Sequence, residues 1–333
     1  MESPNLQQSF FASIRNVIPP NISLADEIAD VLKLSYDSVY RRIRGEKPIT
    51  LDEVKLLCDH FRISLDEVLQ VHSDSVVFHA PGINGSTEFE NYWTGLHSEL
   101  QYFNSFGEKQ MYYLCKDLPI WYFFLFPEIA AFKMFCWVKT IQNNPAYTHK
   151  VFSLAEYGFE EQYRIGQEIL KEYLRLPCVE LWSYETINST INQVRYYREA
   201  QLFATNEDFE LVLLSLKRML RHLREQAETG KKFMPGTSAE LSSNNYNLYI
   251  NEVLLGNNTI LISLDKVMHC YINYNGIDYF KTRDARFTKK LMDHFNTLIN
   301  RSAYISNTGE KFRNSYFAVL EEKINRCNTG PRV

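Results

Sequence analysis

Residues 22–70 read ISLADEIADVLKLSYDSVYRRIRGEKPITLDEVKLLCDHFRISLDEVLQ, and this stretch decides the N-terminal fold. Ser23 is placed to cap a helix that carries Leu24, Ile28, Val31 and Leu32 on one face. Ala25 and Ala29 are small, so another helix can approach that face closely. Lys33 and Leu34 lead into a short turn, with Ser35 as the next N-cap. The spacing predicts a second helix over about Tyr36–Arg44 that stops at Gly45, with Val39 and Ile43 as its inner edge. Thr50 starts a third helix with Leu51, Val54, Leu57 and Cys58 inward, and Ser64 a fourth with Leu65, Val68 and Leu69. A further helix over Gln7–Val17 can precede them.

This order of short capped helices resembles the Cro/CI-type, or XRE-like, helix-turn-helix. It is most similar to the BetR N-terminal variant, through Ser35-Tyr36-Asp37-Ser38-Val39-Tyr40-Arg41-Arg42-Ile43-Arg44-Gly45 and the later Ile63-Ser64-Leu65-Asp66. The resemblance implies sequence-specific binding of double-stranded DNA, with Tyr36–Arg44 as the recognition helix. Two features depart from the pattern. Lys33-Leu34 stands in the turn where Gly is common, and residues 21–72 hold more Asp and Glu than Lys and Arg. Positive charge is therefore local, in Arg41, Arg42, Arg44 and Lys47, partly offset by Glu46.

With Val39 and Ile43 facing in, helical phase puts Asp37, Tyr40, Arg41 and Arg44 on the opposite side. Ser35 and Tyr36 stand at the helix start, where free N–H groups meet phosphate or base edges. Arginine suits bidentate pairing with guanine. Tyr40 suits a thymine methyl or a phosphate. Asp37 can accept from cytosine or orient Arg41, its neighbour at i+4. Arg42 and Lys47 are expected at the phosphate backbone. The expected DNA-binding set is thus Ser35, Tyr36, Asp37, Tyr40, Arg41, Arg42, Arg44 and Lys47.

The rest of the chain gives a fold class without a site. Composition over the 333 residues is 45% hydrophobic and 23% charged, which excludes a disordered or fibrous chain. A net charge of −4 excludes a general polyanion binder. The pattern predicts three parts: a helix-turn-helix domain at 1–72, a linker at 73–90 rich in Ser, Pro, Gly and Asn, and a larger part at 91–333. That part reads as helical up to about 174, with a strand at Cys178–Tyr184 and helices near 185–203 and 207–228. Antiparallel runs follow at Tyr246–Val253, Thr259–Leu264 and Val267–Tyr274, and helices near 285–300 and 308–325 close the chain. Asn307 and Glu310 suggest a capping box for the last helix. The class is mainly α with a smaller α+β part, whose sheet is read as small and antiparallel.

Residues 119–138, PIWYFFLFPEIAAFKMFCWV, are long enough to span a bilayer. Glu128 and Lys133 would each cost roughly 2.5–3.5 kcal/mol there, so a buried helix pair is expected and no membrane contact. Six Cys without a CxxC pair, and an N-terminus without a signal pattern, favour a cytoplasmic setting. No HExxH, P-loop, GxGxxG or GxSxG occurs, so no catalytic centre, metal or cofactor is expected. A DNA-binding transcriptional regulator follows, its C-terminal part sensing a small-molecule or protein effector or assembling the chain, as a homodimer through residues 207–228 or 119–138. The alternative is a ligand-binding or enzymatic C-terminal domain with the N-terminal helices as a protein-docking module.

Overall fold

A computed structural model describes residues 5–19, 21–65, 76–80, 89–242, 244–252 and 256–328. These fall into two compact units that divide after His79, with the short segment Thr282–Phe287 grouped with the first. The first unit holds helices α1 (Leu6–Arg15), α2 (Leu24–Leu32), α3 (Tyr36–Ile43) and α4 (Leu51–Phe61). Local chemistry sets their ends. Ser23 caps α2 through the Asp26 N–H, and Thr50 and Glu53 form a reciprocal capping box on α4. Gly45, in the left-handed region at φ +79°, ends the turn after α3. Phe10, Phe11, Ile14, Ala25, Ile28, Ala29, Val39, Val54 and Leu57 form one core. The two alanines of α2 let α3 and α4 pack against it. Leu51, expected inward, is 81% exposed. The expected helix after Ser64 lies, beyond Leu65, outside the described residues, as does most of the 73–90 stretch.

The second unit is built on a seven-stranded mixed sheet in the order β6-β5-β4-β1-β2-β3-β7. The strands are β1 (Lys109–Leu114), β2 (Cys178–Trp182), β3 (Tyr246–Ile250), β4 (Thr259–Leu264), β5 (Val267–Asn273), β6 (Tyr279–Thr282) and β7 (Ala303–Tyr304). β1, β2 and β3 pair in parallel, while β4, β5 and β7 join antiparallel. The α+β class is the expected one, but the sheet, read as small and antiparallel, is seven-stranded and mixed, because β1 and β2, separated in sequence by helices, pair in parallel with each other, and β2 likewise with β3. The helices are α5 (Phe89–Asn104), α6 (Pro127–Cys136), α7 (Glu160–Arg175), α8 (Asn188–Glu199), α9 (Asn206–Thr229), α10 (Ala285–Ile299) and α11 (Glu310–Asn325). Thr205 caps α9 and Gly230 stops it, as the sequence indicates. For α11 the cap differs: Gly309 is the N-cap, and Asn307 adopts φ +46° instead of capping.

Alternation along the strands gives the sheet two apolar faces. Leu114 and Leu181 meet Phe295 of α10 on one side. Met111, Tyr113, Cys178 and Trp182 enter the main core on the other. Glu180, on the central strand of the parallel trio, faces that core and is fully buried. Its carboxylate accepts from the Tyr122 hydroxyl (2.8 Å), the Trp182 indole N–H (2.8 Å), the Tyr246 hydroxyl (3.1 Å) and the Tyr173 hydroxyl. Lys232, also buried, donates to the Tyr173 carbonyl at 2.9 Å. Burial raises the Glu180 pKa against the opposing pull of Lys232.

The aromatic run forms a 3₁₀ segment at Ile120–Leu125 followed by α6, and both are buried. Lys133 sits among them, its ammonium donating to Gln193 at 2.7 Å and lying 4.5 Å from the centre of the Phe123 ring. Burial lowers its pKa to about 8. Among the described residues no helix is long and apolar enough to cross a membrane.

Candidate nucleic-acid interface

Helix α3 is short and its phase divides it cleanly. Val39 is fully buried, Ile43 is partly buried, and Tyr36, Asp37, Tyr40 and Arg41 are exposed. Arg44, the C-cap, continues the exposed side. Tyr36 is 57% and Tyr40 48% exposed, so about half the surface of each of two aromatic residues stands in water. Ser35 occupies the N-cap position with extended backbone, yet its side chain makes no capping hydrogen bond. The first N–H groups of α3 therefore point outward without a side-chain acceptor from Ser35. Lys47, after the turn, is exposed.

Arg42 does not share this face. Its side chain is 5% exposed and turns into the unit, where Nη2 meets Glu53 Oε1 at 2.6 Å and Nε meets Oε2 at 3.2 Å. Nη1 donates to the Ser38 hydroxyl at 2.7 Å. The expected phosphate contact of Arg42 is thus corrected: it stands on the flank of α3, about 80° from the Val39–Ile43 edge, and the Glu53 carboxylate and Ser38 hydroxyl draw its guanidinium inward. The same Glu53 carboxylate accepts from the Thr50 N–H at 2.9 Å, so one side chain caps α4 and anchors α3. Burial would raise its pKa, but the Arg42 guanidinium and the Thr50 N–H hold it below the usual carboxylate range.

The turn after α3 is held from an unexpected side. Gln7 of α1 donates to the carbonyls of Arg42 (2.7 Å) and Lys47 (2.8 Å) and accepts from the Ile49 N–H (3.0 Å). Gln8 donates to the Arg44 carbonyl at 3.0 Å. Glu46 then organises the exposed cations. It takes a two-point contact from Arg44, at 2.6 and 3.1 Å, and lies 3.9 Å from Arg41. Arg41 therefore pairs with Glu46 and not with Asp37. The hydrogen bond between them raises the Arg44 pKa and lowers that of Glu46. Seven of the eight expected residues thus lie exposed on or beside α3, and Arg42 is withdrawn from them.

Residues 16–92 match the BetR domain. No curated protein and no solved structure matches the chain. The N-terminal unit is accordingly a BetR-like helix-turn-helix, a module of the DNA-binding type. The BetR match begins after α1, so the Gln7 and Gln8 contacts come from outside the matched segment. Within the BetR-like pair α2–α3, Lys33 adopts φ +51°, which explains why glycine is favoured at that turn. Among the described residues no group of three or more His, Cys, Asp or Glu is placed to hold a metal ion.

Proposed function

We propose that the chain is a sequence-specific, DNA-binding transcriptional regulator of the cytoplasm that acts as a homodimer. In this reading its second unit is not an enzyme but assembles the chain or senses a small-molecule or protein effector. The observation that carries the proposal is the exposed face of α3 in a BetR-like unit: Tyr36, Asp37, Tyr40, Arg41 and Arg44 all stand clear of the core on a helix of recognition type. Arg41 and Arg44 are the base-reading candidates. Ser35 and the amino end of α3 suit a phosphate, as does Lys47. Glu46 holds both arginines extended when DNA is absent, and phosphate oxygens or guanine edges replace its carboxylate on binding.

Selection of a bound site from random duplexes by the full-length protein, followed by gel-shift titration over a range of salt, tests this. Arg41→Ala is expected to cost about 1–3 kcal/mol on the selected site and to relax its sequence. Lys47→Ala is expected to weaken all duplexes alike and to flatten the salt dependence. If neither variant changes binding, α3 is not the reading helix.

A further inference from the structure

Helix α9 lies between α6 and α11, with one side in the main core. Its outer side leaves Leu211 36% and Leu214 48% exposed. Both line a shallow groove with Glu207, Glu210 and Lys217. The other region read as a homodimer surface, residues 119–138, is spent on the core, which leaves this face. At about 100° per residue, positions 207, 210, 218 and 221 all fall within about 40° of Leu214. All four are exposed. They hold Glu207 and Glu210 before the leucine and Arg218 and Arg221 after it. Glu207 and Arg221 are equally far from Leu214, and so are Glu210 and Arg218.

We propose that this face docks onto the same face of a second copy of the chain, helix antiparallel to helix, with the two-fold axis through Leu214. In that register each Glu207 faces Arg221 of the other copy, and each Glu210 faces Arg218. Leu214 meets its own counterpart, and Leu211 lies on the aliphatic stem of Lys217. A parallel pairing would set Glu against Glu and Arg against Arg, so the charges choose the direction as well as the partner. The contact is isologous, as a closed two-fold dimer requires. Arg218 already lies 4.3 Å from the centre of the Phe126 ring and 3.9 Å from Glu128, which fixes its stem, while its side chain stays 48% exposed.

The inference rests on the homodimer reading above but not on DNA binding, and it is tested without DNA. Full-length protein is expected to sediment as a dimer at tens of micromolar. The double variants Glu207→Arg/Glu210→Arg and Arg218→Glu/Arg221→Glu are each expected to sediment as monomers and, mixed in equal amounts, to recover the dimer. Leu214→Cys is expected to form a disulfide-linked dimer on mild oxidation. Glu228→Cys is not, because the two 228 positions lie about 42 Å apart along the paired helices. Wild type serves as the blank for the partly exposed Cys58. Monomeric wild type, double variants that stay dimeric, a mixture that stays monomeric, or cross-linking at 228 would each overturn the pairing. A monomer that still shifts DNA overturns this inference alone, and a dimer that binds no DNA overturns only the function proposed above.

Discussion

Arg42 in the N-terminal unit and Glu180 in the C-terminal unit are both charged side chains taken out of water, and their surroundings differ. Arg42 meets a carboxylate that is itself partly solvated, with Glu53 17% exposed. Glu180 meets three tyrosine hydroxyls and an indole N–H, with Lys232 buried nearby. The first arrangement is an ion pair of opposite charges. The second is a carboxylate solvated by the protein's own donors. The difference shows in the acids: Glu53 is held below its ordinary pKa, and burial pushes Glu180 above. An ion pair near water can relax when broken, whereas a buried network leaves every member unsatisfied at once.

The sharpest way to break this contrast is Glu180→Ala. It strands three hydroxyls and the Trp182 N–H in a buried site, and is expected to destabilise the second unit by about 3–5 kcal/mol. All four tryptophans, at 93, 121, 137 and 182, belong to that unit, so urea unfolding followed by their fluorescence reads it. A loss below about 1 kcal/mol would mean that the network is not the centre of the unit. Glu53→Ala comes next. It removes the capping box and the partner of Arg42, and roughly 2–3 kcal/mol is expected, confined to the first unit. Hydrogen exchange in α3 and α4 should rise while the tryptophan transition stays in place.

The pH dependence sharpens the comparison by its sign. Glu53, lowered in the fold, contributes stability above its unfolded value near ~4.3 that is lost as pH falls through its folded pKa. Glu180, raised in the fold, contributes fully below the unfolded value and loses that contribution as pH rises through its folded pKa. Moving from neutral toward pH ~4.3 should therefore let the Glu180 contribution grow, whereas exchange in α3 and α4 should speed only on going below pH ~4.3. Glu180→Gln should flatten the tryptophan-detected profile over that range, and an unchanged slope would sink the assignment. The smallest expected effect is Lys33→Gly. It relieves a left-handed lysine at the α2–α3 turn and should stabilise the first unit by up to about 1 kcal/mol, read as delayed exchange in α2.

What the sequence made legible follows from the range of the interactions. The caps at Ser23, Thr50 and Thr205 and the stops at Gly45 and Gly230 depend on neighbours a few residues away, and they stand where they were read. The exposed side of α3 follows from phase alone. Arg42 was placed outside because a basic run reads as one solvated face, and the carboxylate that turns it inward, Glu53, lies eleven residues on in another helix. Strand β1 was missed because its partners, Cys178–Leu181 and Thr259–Leu264, are far along the chain and its own six residues look like more of the surrounding aromatic helix. The Glu180 network joins residues 122, 173, 182 and 246, and no local window contains it.

Gln7 has a practical consequence for dividing the chain. A fragment cut to the edge of the family likeness would start at residue 16 and keep both helices of the DNA-binding pair. It would also discard the amide that fastens Arg42, Lys47 and Ile49, together with Phe10, Phe11 and Ile14 of the core. The unit of resemblance is therefore smaller than the unit of folding. A chimera that borrows this module keeps α3 and the turn after it in shape only if it also borrows α1.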